Sequence, residues 1–112
     1  MEKVARIISV EFDSKKNKVE SMAKFRSNIN DLAAGIELSV VVNTDENSII
    51  AIQIWPDQET PDAFQEKRTE WFRDNMEVHV RDRIAHEGDV DFWFQQIKYF
   101  GGDAIRVSGA GA

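Results

Sequence analysis

Residues 49–61 read Ile-Ile-Ala-Ile-Gln-Ile-Trp-Pro-Asp-Gln-Glu-Thr-Pro. A dense run of β-branched residues suits a buried, pleated strand. It ends at Trp55, crosses a polar turn and meets a helix-start signal. Thr60 is a capping residue type, and Pro61 occupies the first helical position, where a missing N–H costs little. A strand that hands over to a helix in mid-chain confines the fold to architectures alternating the two elements. A chain of 112 residues holds one such domain. We place its core over residues 4–100 and a Gly/Ala-rich tail over 101–112.

The flanking segments supply the rest. Residues 4–12 alternate as a first strand, with Ile8, Val10 and Phe12 on one face and Ala5, Ile7, Ser9 and Glu11 on the other. Asn17 followed by Glu20 resembles a capping box. The helix it opens runs to about residue 34, with Met22, Phe25, Ile29 and Leu32 along one side and Gly35 as its stop. A second strand covers 36–42, a hairpin loop longer than two residues 43–47, and a third strand 48–55. The second helix carries Phe64, Trp71 and Phe72. Either it breaks at Asp74-Asn75 with a further helical piece over 76–85, or it continues to His86; Gly88 ends both versions. A fourth strand is expected over 90–100, and Ile105-Arg106-Val107 is a candidate edge strand.

The order strand, helix, strand, strand, helix, strand is the ferredoxin-like split pattern. With right-handed crossovers, both helices cover one face of a four-stranded antiparallel sheet, an α+β fold. The opposite face takes Ala5 and Ile7 from the first strand and Val41 from the second. The third strand would add Ile49, Ala51 and Trp55, and the fourth Trp93, Ile97 and Tyr99. A sheet face left in water reads more uniformly polar. A second copy of the chain is the simplest cover, giving a homodimer through the helix-free face.

A net charge of −6 with scattered Lys and Arg argues against nucleic acid or an anionic membrane as partner. No apolar run approaches the roughly 20 residues of a membrane span. The sequence has no cysteine, which excludes disulfides and thiol chemistry and suits a reducing cytoplasm. The N-terminus carries no signal-peptide pattern.

Element order, Gly35 at the entry to the second strand, and Trp55 ending the third together resemble the dimeric α/β-barrel superfamily. Within it, the chain resembles the antibiotic biosynthesis monooxygenase-like domain. The turn Trp55-Pro56-Asp57 is similar to that family's Trp-Glu-Ser, with Asp57 in place of the serine. The resemblance implies a small aromatic or polyketide-like ligand and, among characterised relatives, cofactor-independent oxidation of polycyclic phenols or degradation of haem. The oxygenases resemble one another in an asparagine four residues before the tryptophan, a position held here by Ala51. The haem-degrading relatives carry an asparagine on the first strand, which is lacking here, and a histidine beyond the second helix, to which His79 loosely corresponds. A non-catalytic binding module on the same scaffold is the alternative, and haem binding a weaker one. No cofactor or metal is assigned.

Phe64, Arg68, Trp71, Asn75 and His79 fall at steps of four, three, four and four, one face of a continuous helix. If that face looks inward, Arg68 binds an anion or enolate, Trp71 stacks on a ring, Phe64 and Asn75 complete the ligand contacts, and His79 moves a proton. The plainer reading has Arg68 reaching water along its stem and His79 on an exposed piece. His79, Asp82 and His86 are also spaced as helical metal ligands, against the simpler reading of a solvated charged face. Trp55, Trp93 and Tyr99 either line a cavity or fill a dimer core.

Overall fold

A computed structural model describes residues 2–94 and 96. The elements are β1 (Val4–Phe12), α1 (Lys15–Leu32), β2 (Leu38–Asp45), β3 (Ser48–Trp55), α2 (Glu59–Ala63), α3 (Gln65–Asn75), a 3-10 turn (Glu77–His79) and β4 (Val80–Asp89). The strands form one sheet in the order β2-β3-β1-β4, with every pairing antiparallel. This is the ferredoxin-like α+β fold. Val10, Phe12 and Ile49 of the sheet, with Met76, form its buried core, against which Met22 and Phe25 of α1 and Trp71 and Phe72 of α3 pack.

The fourth strand lies at 80–89, not 90–100, and so replaces both the expected helical piece over 76–85 and a helix running to His86. Its sequence, VRDRIAHEGD, shows little apolar alternation, and all of it beyond Val80 is exposed. Pairing makes it a strand: it matches β1 from Val4↔Asp89 to Phe12↔Val80, with a register shift between Glu11 and Phe12. Ladder hydrogen bonds to a central strand outweigh a weak local preference. Gly88 is accordingly a strand residue opposite Ala5, not a helix stop. Asp91, Phe92, Trp93 and Phe94 carry no regular structure and are exposed. Ile97, Tyr99, the tail 101–112 and the candidate strand 105–107 lie outside the described residues.

The helix starts also shift. Ser14, extended at φ −157°, caps α1 by accepting from the Asn17 N–H at 3.1 Å. Asn17 is therefore inside the helix, and its side chain donates to Asp13 Oδ1 at 2.7 Å. The preceding serine prevails because its short hydroxyl reaches an otherwise unpaired N–H of the first turn. After β3, Asp57 rather than Thr60 closes the turn. Its Oδ1 accepts from the Thr60 N–H at 2.8 Å and the Thr60 hydroxyl at 2.7 Å. Pro61 is the third residue of α2, still within the turn that needs no N–H donor, and is fully buried.

β2 begins at Leu38 and runs on to Asp45, so the hairpin turn is two residues, Glu46-Asn47, with a register shift between Asn43 and Asp45. Lys18 of α1 is buried behind it and donates through Nζ to the carbonyls of Asp45 (2.7 Å) and Ser48 (3.1 Å). Gly35, at φ +85°, lets the chain turn out of α1.

Register settles the two faces. Ile8 lies beside Ala51 and Ala85, and Ala51 beside Val41; these residues face the helices. Ile49 and Trp55 share that side, so Val41, Ile49, Ala51 and Trp55 do not belong to the bare face as expected. Trp55 is fully buried beneath its own helices. The helix-free face carries two apolar rows instead: Val40–Ile52–Ile7–His86 and Val42–Ile50–Ser9–Ile84. β3 is isoleucine-rich on both sides, so its alternation did not fix which side the helices cover.

Candidate functional site: a cavity between helices and sheet

Cross-strand rows build the floor of a cavity of about 770 Å³. They are Gln53–Arg6, Ala51–Ile8–Ala85 and Ile49–Val10–Arg83, with Glu87 pairing Arg6 outside the lining. Phe25 of α1 and Trp71, Phe72 and Arg68 of α3 form the walls. Phe25 and Trp71 meet edge to face at 6.1 Å between centroids. Large aromatics held edge to face leave space that smaller side chains do not fill.

Arg68 is the most constrained polar group here. Its guanidinium lies over Trp55 with Cζ 5.3 Å from the ring centroid. Nη2 donates to the Pro61 carbonyl at 2.7 Å and to Gln65 Oε1 at 3.0 Å, while Nη1 is buried with no partner among the described residues. Burial, and then repulsion from Arg6, hold it below the ordinary guanidinium range. Arg83 is displaced in the same direction for the same two reasons, and stacks on Phe72 at 5.3 Å.

Of the residues picked out by spacing, Arg68 and Trp71 line the cavity. The helical spacing runs from Phe64, the N-cap of α3, through Arg68 and Trp71 to Asn75, and leaves out His79 because the helix ends at Asn75. Phe64 is the junction of α2 and α3, its carbonyl accepting from the Arg68 N–H at 3.0 Å. The Asn75 side chain caps its own helix by donating to the Trp71 carbonyl at 2.8 Å. His79 lies in the 3-10 turn, where its carbonyl accepts from the Asp13 N–H, and is not among the cavity-lining residues. With Asp82 and His86 on β4, the helical metal spacing dissolves; among the described residues no group of three His, Cys, Asp or Glu could hold a metal ion.

Sequence reading missed Arg6, Gln53, Phe72 and Arg83 as site residues. Arg6 had a signal: it interrupts the inward side of β1 between Val4 and Ile8. Arg83 had none until β4 was in register.

No protein-family model matches the sequence, and no curated protein matches it. Solved structures do match the fold. A mutant of SnoaB, a cofactor-independent oxygenase from Streptomyces nogalater, superposes with a TM-score of 0.68 at 9% identity, covering 86% of this chain and 100% of that one. A provisionally assigned antibiotic biosynthesis monooxygenase from Chloroflexus aurantiacus gives 0.67 at 12% identity, with coverages of 83% and 97%. A dimeric ferredoxin-like protein from an uncultured marine organism gives 0.69 at 16% identity, with coverages of 86% and 94%. The chain thus has the fold these proteins share. Among the described residues, no helix is long and apolar enough to cross a membrane.

Proposed function

We propose that the chain is a homodimer that binds one small aromatic or polyketide-like molecule per subunit in the cavity between helices and sheet. The observation that carries this reading is Arg68: a guanidinium at the edge of an aromatic-walled cavity, with a buried Nη1 donor that has no acceptor among the described residues. Buried polar groups are rarely left unpaired, and a ligand oxygen is a natural acceptor. Trp71 and Phe72 would contact the ring, and Arg68 would hold an anionic oxygen by a charge-assisted hydrogen bond.

Calorimetric titration with 1-naphthol tests the pocket. Binding by the wild type, lost in Ala51→Phe, which puts a ring into the cavity floor, supports it. Equal binding by both proteins removes it.

A second reading, favoured by the fold shared with a cofactor-independent oxygenase, is oxidation of the bound molecule. Phenolate stabilisation by Arg68 in a water-poor cavity would prepare the ring to reduce O₂. One oxygen atom would enter the ring to give a quinone and the other would leave as water. Ala51 supplies no side-chain amide to orient a substrate, which supports binding without turnover. Oxygen uptake with 1-naphthol, absent in Arg68→Met, would decide for oxidation.

A further inference from the structure

The chain is acidic, with a net charge of −6, yet its cavity is basic. Five of its seven arginines line the cavity: Arg6, Arg68, Arg73, Arg81 and Arg83. Among the described residues no lysine does, and the acids in the lining are Glu77 and Asp82. A general need for positive charge would draw on both residue types. Selection of arginine alone points to planar, two-pronged recognition of an oxyanion, which an ammonium group does not provide.

The five are not equivalent. Arg73 turns to Glu70 (4.0 Å) and Asp74 (3.7 Å) on its own helix. Arg6 meets Glu87 through Nε at 3.2 Å and is nearly buried. Arg83 has no ion pair among the described residues, and its guanidinium lies over the Phe72 ring. Arg6 and Val10 are four residues apart on β1, and Arg83 lies opposite Val10, so Arg6 and Arg83 stand on the same face about 13 Å apart along the strand. The strand between them presents Ile8 to the cavity. Two cations thus flank an apolar patch of floor. Each cation in the cavity disfavours the others unless a negative charge joins them. Burial first, and Arg6 second, hold both Arg68 and Arg83 below the ordinary guanidinium range, and the second cause agrees with that mutual repulsion.

Taking the cavity to be a ligand pocket, as above, we infer that its ligand is a planar aromatic acid. Its carboxylate sits between Arg6 and Arg83 on the sheet, and its ring extends past Phe72 and Trp71 towards Arg68. The carboxylate neutralises the sheet pair, while Arg68 serves a separate oxygen at the far side of the ring.

Calorimetry with 6-hydroxy-2-naphthoate and 2-naphthol at low ionic strength tests this, because the two differ only in the carboxylate, which the first carries at the opposite end of the ring system from its hydroxyl. The wild type is expected to bind the naphthoate about tenfold or more tightly, the size of one charge-assisted contact. Arg83→Gln should bring the two affinities within about threefold and Arg83→Lys restore part of the gap, whereas Arg68→Gln should weaken both ligands together. Equal affinity for the two compounds in the wild type overturns the carboxylate site and leaves the aromatic pocket standing. A gap that persists in both Arg83→Gln and Arg6→Gln does the same. If neither compound binds, the pocket reading falls and takes this proposal with it.

Discussion

Arg68 rests its guanidinium on Trp55, 5.3 Å from Cζ to the ring centroid, and ties β3 to α3. Trp55 is fully buried, and Arg68 Nη1 is enclosed with no partner among the described residues. The stacking holds the charge in place without neutralising it. Arg68→Met is therefore expected to lose about tenfold or more in affinity for aromatic anions, while stability changes little, since an apolar stem replaces a poorly satisfied buried cation. Paired calorimetry and thermal melts check the split; parallel losses in both would mean that Arg68 is a packing residue.

Lys18 supports the hairpin from behind. Its Nζ donates to the carbonyls of Asp45 and Ser48, on either side of the turn. Lys18→Met leaves both acceptors inside without a donor and is expected to cost about 2 kcal/mol, a fall of about 10 °C in Tm. An unchanged melting temperature would mean that water replaces the ammonium.

Gly35 combines a left-handed backbone with a close neighbour. A Cβ there would lie 2.6 Å from Thr60 Cγ2. Gly35→Ala is expected to destabilise by about 2 kcal/mol or more, from backbone strain and the clash together. Thr60→Ser removes the methyl but keeps the hydroxyl that donates to Asp57. The double variant should thus lose less than the sum of the single changes, as chemical denaturation would show.

The Asp57 carboxylate is held below its ordinary range, first by the Thr60 hydroxyl and then by the Thr60 N–H. A depressed folded-state pKa contributes stability above the unfolded value of about 3.9, and that contribution is lost as pH falls through the folded value. The Tm difference between wild type and Asp57→Asn should be constant from about pH 5 to 8 and shrink below about pH 4. A difference that grows towards acid would reverse the assignment.

The helix-free face leaves Ile7 44%, Val42 44% and Ile84 51% exposed in a single subunit. If a second copy covers it, the wild type sediments as a dimer, and Val42→Asp with Ile84→Glu yields a folded monomer. Charges placed there would meet apolar surface with no partner. A wild type that is monomeric throughout would refute the homodimer.

Much of this fold is legible from pattern. β1 and β3 alternate or cluster β-branched residues strongly enough to be placed to the residue, and Gly35 and Pro61 punctuate the helices close to where they fall. β4 was missed because Arg81, Asp82, Arg83, His86 and Glu87 look like a solvated helix face, while Phe92, Trp93 and Phe94 look like a strand. Pairing with β1, not local preference, decided between them. The site was half legible for the same reason. Arg68 and Trp71 share α3 and could be read from its period. Arg6 and Arg83 reach the cavity from two different strands and meet only through their register.

β4 also closes one margin of the sheet, and its outward-facing backbone would be open to any other extended chain. Its alternating Arg81, Asp82 and Arg83, with Glu87 and Asp89 further on, make that margin a poor template, since an incoming strand would have to strip water from one ion after another. Growth sideways into fibrils from this margin is opposed by the very residues that make the strand resemble a helix in sequence.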